Sequence, residues 1–211
     1  AQTELIFDHK TKTVEMIMND KKDIKKETIL TVAEKFFARF GVRKTTMDEI
    51  AKTARIGKST LYYYFKSKED IFAEVIHKES RILKSKLEEN IAKATTPQEK
   101  LIAYVHTRMK HLKELSNYYS ALTDEYLEYC SFVERNRKDF TKYEIETLKT
   151  ILSEGIEKGM FQIADVDAAA QAIVIVMKGL EYPLLVQEEA NDMEDTIRNM
   201  LNILFKGIES R

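Results

Sequence analysis

One cysteine, two prolines, six glycines and no tryptophan are spread over 211 residues. The single thiol, Cys130, excludes an intramolecular disulfide framework and a thiolate-rich zinc site, and it fits a reducing compartment. So few turn formers leave little room for the tight turns of a sandwich or barrel, and they favour long helices. Long hydrophobic runs are missing too. The longest nearly uncharged stretch, Val166 to Met177, is interrupted by Asp167 and Gln171 and is too short to span a bilayer. The start lacks a basic segment followed by an apolar run, so no signal peptide and no membrane partner are expected, and the expected location is cytoplasmic. What is present is a globular balance, 44% hydrophobic and 33% charged, which fits neither wholesale disorder nor a fibrous repeat. The expected fold is all-α.

Charge is distributed unevenly. The formal net charge is −1, but residues 21–70 hold thirteen Lys/Arg against seven Asp/Glu, a net of +6, while residues 71–211 carry −5. A cationic front on an anionic body suggests an N-terminal surface for a polyanion. A solvated basic helix face is the alternative reading of the same charge.

The periodicity explains how such a surface is built. Ile29, Val32, Ala33, Phe36, Phe37 and Phe40 recur at spacings of three and four, which predicts a helix from about Lys22 to Phe40, ended by a left-handed cap at Gly41. Thr46 to Glu49 reads as a capping box that opens a second helix through Ile50, Ala51 and Ala54. Arg55 to Gly57 is a three-residue connection, and Lys58 to Phe65 forms a third helix of about two turns. Helix, short turn, helix is the signature of a helix-turn-helix. At 100° per residue, Leu61 and Phe65 look inward, which turns Ser59, Tyr63 and Lys66 outward, with Lys58, Thr60 and Tyr62 on the shoulders. Hydroxyls, aromatic faces and lysines are the groups that read a major groove and its phosphates. Tyr62, Tyr63 and Tyr64 cannot all cover a core from so short a helix.

The run TTMDEIAKTARIGKSTLYYYFKSKEDIF, from Thr45 to Phe72, resembles the DNA-binding segment of the tetracycline-repressor (TetR) family, and Ala33 to Gly41 resembles that family's first helix. The resemblance covers residues 24–76, and its Thr-Leu-Tyr-x-x-Phe-x-x-Lys-Glu pattern is specific. It implies that Thr60 and Tyr62 contact base edges and phosphates, and that Tyr63 packs on bases or backbone. Tyr64 replaces a frequent histidine that binds phosphate. Thr46 places its hydroxyl or amide on a phosphate, and Lys68 clamps the DNA backbone at the start of the fourth helix. The family usually has glycine where Arg55 stands, serine where Gly57 stands, and a small residue at Ser59. Arg55 adds a cation to the turn, and Gly57 removes a side-chain cap.

The domain expectation is an N-terminal extension over residues 1–20, flexible or not, a helix-turn-helix module over 21–68, and a larger helical bundle over 69–211. Helices are expected near 98–114, 118–130 and 132–158, after Pro97 at a first helical position. Tyr104, Met109, Tyr119, Tyr126, Tyr129, Phe132, Phe140 and Tyr143 fall there. Rings with hydroxyls suit a cavity for a small, partly hydrophobic or aromatic effector, although the same residues could simply fill a core. His106 and His111 are five apart, off a common helix face, so no metal is expected, and no cofactor. Residues 165–186 are apolar nearly all round, which predicts a helix buried on several sides, ended near Tyr182 by Pro183. The last helix carries Ile197, Leu201, Leu204 and Ile208 at four-three-four spacing. With Ile173 and Val176 it could pack against a second copy of itself, or into an intramolecular core.

Taken together, these features predict a homodimeric regulator that binds double-stranded DNA at a pseudo-palindrome and responds to a small molecule, most simply as a repressor. An architectural DNA binder without an effector is the alternative. No nucleophile with a base, paired acids or phosphate-cradling glycine loop stands at a recognisable spacing, so an enzyme is not expected.

Overall fold

The computed structural model describes the backbone of residues 2–118, 126–181 and 191–208, and the side chains of 23–115, 128–181, 195 and 197–208. The described residues form helices α1 (Gln2–Lys44), α2 (Met47–Thr53), α3 (Lys58–Tyr64), α4 (Lys68–Ala92), α5 (Pro97–Tyr118), α6 (Tyr126–Asn136), α7 (Lys138–Glu157), α8 (Val166–Gly179) and α9 (Asn191–Ile208). The chain divides into two compact units, Ala1–Val75 and Ile76–Arg211.

In the first unit, α1 continues back to Gln2, through the segment expected as an extension. Its regular backbone is interrupted at Gly41, with φ 80° and ψ 168°. The positive φ is the freedom a glycine supplies, but the extended ψ makes it a kink rather than a left-handed cap, and one further turn follows. Ile29, Ala33 and Phe37 are buried with Ile50, Leu61 and Phe72. The Phe37 and Phe72 rings meet edge to face at 5.5 Å. Phe40, expected on the inner stripe, is 42% exposed.

In the second unit, α7 packs on α5 and α8, and α9 packs on α5. The core joins Leu101, Tyr104, Val105 and Met109 of α5 to Leu148, Ile151 and Leu152 of α7, Ile173, Val174 and Met177 of α8, and Ile197 and Leu201 of α9. Two of the helix starts have a local cause. Pro97 opens α5 while Glu99 accepts from the amides of Thr95 and Thr96, and Asp165 caps α8 by accepting from Ala168 N–H at 2.9 Å. The end of α7 is a Schellman turn: Gly159, at φ 68°, donates to Ile156 O, and Met160 donates to Gly155 O. The break before α7 falls at Arg137, six residues beyond the expected one. Leu180 caps α8, and Tyr182 and Pro183 lie outside the described residues.

Candidate nucleic-acid interface

Three local devices hold the two short helices. Thr46 completes a reciprocal capping box, with its hydroxyl accepting from Glu49 N–H while the Glu49 carboxylate accepts from Thr46 N–H at 3.0 Å. Ala54 to Gly57 then turns the chain, and Arg55 adopts φ 55°. Among the described residues it is the one non-glycine with positive φ, at the position where the resemblance leads one to expect glycine. Gly57 is the N-cap of α3 and supplies no side-chain cap. Beyond α3, Asp70 accepts from the amides of Lys66 and Ser67, and Ser67 Oγ accepts from Asp70 N–H, which starts α4.

Leu61 is fully buried and Phe65 is 4% exposed, so α3 is anchored from behind. Lys26 of α1 reinforces this. Its ammonium pairs with Glu74 at 2.7 Å and lies 5.9 Å from the centre of the Phe65 ring. The opposite face consequently points to solvent: Tyr62 is 45% and Tyr63 66% exposed, and Lys58, Ser59 and Lys66 are exposed beside them. Thr60 and Tyr64 are half-buried, with the Tyr63 and Tyr64 rings edge to face at 5.2 Å. The outward groups of α3 are thus cationic and aromatic, and the turn before it and the start of α2 add exposed Arg55 and Thr46.

Two lysines make protein contacts that the sequence did not suggest. Lys58 pairs with Asp48 of α2 at 2.6 Å, an exposed link between the two helices. Lys68 donates to the carbonyls of Arg43 and Thr45, at 2.8 and 3.1 Å, and so ties the end of α1 to the start of α4.

The expected body residues separate into groups. Tyr104, Met109 and Phe140 are buried in the core, Tyr143 is half-buried 6.0 Å from the Phe140 ring, and Tyr129 and Phe132 are half-buried. Tyr119 and the side chain of Tyr126 lie outside the described residues. Of the residues expected at a dimer interface, Ile173, Ile197 and Leu201 belong to the subunit's own core. These three positions fit the intramolecular-core alternative of the same apolar pattern. Leu204 and Ile208 are half-buried, Val176 is 48% exposed, and the apolar side chains that α8 and α9 present outward are Ile175 and Ile203, 67% and 73% exposed. Helix α8 is therefore not buried on all sides.

The body also contains a charged group that sequence reading missed. Arg108, Glu144 and Glu181 are buried together, with Tyr104 donating to Glu144 at 2.8 Å. Its sequence signals were Arg108 on the apolar stripe of Leu101, Tyr104 and Val105, and Glu144 on that of Phe140, Leu148 and Ile151. Burial opposes the Arg108 charge, but the adjacent Glu144 and Glu181 outweigh it and raise the guanidinium above its usual range. Burial likewise opposes the Glu181 charge, yet Arg137 and Arg108 hold its carboxyl below the ordinary value. Nearby, burial and the Lys86 ammonium lower His111 to about 4. No cluster able to hold a metal is found among the described residues.

A helical module that buries its apolar side and offers tyrosines, hydroxyls and cations from a short second helix is a helix-turn-helix DNA-binding unit, and a chain that joins it to a larger helical body is a transcriptional regulator in architecture. Residues 29–75 match the family described as bacterial regulatory proteins, tetR family, and residues 79–210 match the QacR-like protein C-terminal region. The chain belongs to the TetR family, whose members are ligand-responsive DNA-binding repressors in which dimerisation is typical. It is 31% identical over 162 residues to the HTH-type transcriptional regulator QacR of Staphylococcus aureus, covering 74% of this chain and 83% of that one. It is 27% identical over 187 residues to a fatty acid metabolism regulator protein of Bacillus subtilis, covering 87% and 95%. A crystal structure of a transcriptional regulator from Cytophaga hutchinsonii superimposes with a TM-score of 0.69 at 28% identity, over 87% of this chain and 98% of that one. These relatives are named as regulators, and no described helix is long and apolar enough to cross a membrane.

Proposed function

We propose that this regulator represses transcription from the cytoplasm by inserting α3 of each of two subunits into successive major grooves of a pseudo-palindrome, with half-site centres about 34–36 Å, or a multiple of that, apart. The observation that carries this is the outward face of α3, with Tyr62 and Tyr63 exposed over a buried Leu61. Tyr62, Thr60 and Ser59 read base edges, while Tyr63 and Tyr64 pack against bases or donate to phosphate. Arg55, Lys58 and Lys66 supply phosphate contacts, joined by Thr46 at the start of α2. Lys68 acts from behind by fixing the end of α1, with its remaining donor toward the DNA backbone.

The second copy packs on α8 and α9 through Ile175, Val176 and Ile203, continued by Leu204 and Ile208. The effector is a small molecule with an apolar frame, taken up beside Met109, Phe140, Tyr143, Tyr129 and Phe132. The name of the Bacillus subtilis relative, a fatty acid metabolism regulator, supports an apolar frame. Binding lowers DNA affinity only to the extent that the effector prefers the conformer with weaker grip. The reading involves no catalysis. A footprint on a duplex selected from a random pool tests it: two protected half-sites in successive grooves are expected, and a single uninterrupted site or uniform protection contradicts it.

A further inference from the structure

The buried charges of the body have an unfinished bond. Arg108 Nε donates to Glu144 Oε1 at 2.6 Å, and the Tyr104 hydroxyl donates to the same oxygen at 2.8 Å. Arg108 Nη2 lies 2.9 Å from Glu181 Oε1, with its N–H directions off the oxygen, and Arg137 reaches both Glu181 oxygens at 3.2 and 3.3 Å. Two guanidinium groups therefore face two carboxylates, and the cluster is neutral. Two donors share Glu144 Oε1, while Oε2 has no hydrogen-bond partner among the described residues, although the Glu144 side chain is fully buried. Arg108 Nη2 likewise has no aligned acceptor. An unmet buried carboxylate oxygen is costly, and an apolar replacement of a buried ion pair is often no less stable, so packing alone does not account for it. Met109, Phe140, Leu148 and Met177 belong to the apolar core of the same unit.

We infer that Glu144 Oε2 is the hydrogen-bond anchor for the body's effector, and that the effector's polar group is an uncharged donor, a hydroxyl or amide N–H, on an apolar frame. The inference rests on the ligand-responsive reading above. Charge decides the class. A cation would leave the buried cluster with a net charge of +1, and an anion would face the bare carboxylate oxygen. An uncharged donor completes the missing bond and leaves the charge balance unchanged. A hydroxyl or amide also carries an acceptor, which suits the unaligned Arg108 Nη2.

The experiment uses the full chain and three probes of similar size in calorimetric titration: 4-propylphenol, its methyl ether 4-propylanisole, and 4-propylbenzylammonium. The phenol is expected to bind at least ~10-fold more tightly than the ether, in line with the loss of one bond to a buried charged acceptor, and the ammonium no more tightly than the ether. In Glu144→Gln the side-chain oxygen still serves Arg108 and Tyr104, but the free atom becomes an N–H donor, so the phenol preference is lost. Equal binding of phenol and ether to the wild type, absence of binding by all three, or an unchanged preference in Glu144→Gln overturns the anchor. The wild-type comparison decides even if the variant misfolds. Displacement of a bound duplex by the same probes separates the two levels. Release without donor preference removes the anchor and leaves ligand response standing, whereas donor-selective binding that releases no duplex keeps the anchor and removes the response.

Discussion

Arg55 is held at φ 55°, in the turn between α2 and α3. A side chain in the left-handed region costs about 1–2 kcal/mol, which glycine avoids. Arg55→Gly should therefore raise the unfolding free energy by ~1 kcal/mol in urea while weakening DNA binding through loss of an exposed cation. An unchanged or lower stability would show that the strain is relieved elsewhere. His111 offers a pH test. Its ring accepts from Lys86 Nζ at 3.3 Å through Nδ1, which leaves the proton on Nε2 toward Glu79 at 3.7 Å, and it stays neutral until about pH 4. The unfolded chain takes up that proton near 6.5, so below 6.5 it binds more protons than the folded one. Stability should fall as pH drops from 6.5 to about 4 and then level off with respect to this group. Thermal melts across that window should show a shallower decline in His111→Gln; an identical decline would assign the effect to other groups.

Among the elements, those opened or anchored by a local signature were the most legible in the sequence. The capping box at Thr46, Pro97 at the start of α5 and the inward pair Leu61 and Phe65 each carry a local signature that the structure bears out. The α6–α7 break was not legible, because Arg137 turns the chain with neither glycine nor proline nearby. Burial on α8 and α9 was only half legible, since core-facing and partner-facing apolar residues share one helical period. Ile173 and Ile175 look alike in sequence, yet one is covered and the other is bare. Two glycines make element-scale predictions with opposite signs. A Cβ on Gly155 would lie 2.0 Å from the Phe161 ring, itself buried against that turn. Gly155→Ala should cost about 1–3 kcal/mol by urea unfolding, and a neutral result would mean the ring moves freely. A Cβ on Gly57 meets nothing closer than 3.7 Å, at Ser59 Oγ. Gly57→Ser should restore the missing cap of α3 and add a few tenths, ~0.3 kcal/mol, to stability.

At the scale of the whole molecule, the division of charge matches a division of labour, with a net of +6 over residues 21–70 and −5 over residues 71–211. The proposed DNA-reading surface and the proposed dimer contact thus fall on different parts of the chain. Ile175→Asp and Ile203→Asp should shift the sedimentation coefficient from dimer to monomer, since each buries a charge in the proposed contact; a dimer that persists in both would place the interface elsewhere. The buried Arg108, Glu144 and Glu181 group needed the fold to be seen, because Arg108 and Glu144 each sit on an apolar stripe but only the packing of the helices brings these distant positions together. The central claim, that the solvent face of α3 reads a duplex, is tested most directly by titrating a selected duplex and a scrambled one across a range of salt. For the wild type, affinity should fall steeply on a log–log plot. Lys58→Ala should lower that slope by about 1 while keeping the sequence preference, and Tyr62→Ala should keep the slope while losing preference. A flat salt response, or an undiminished preference in Tyr62→Ala, would contradict it.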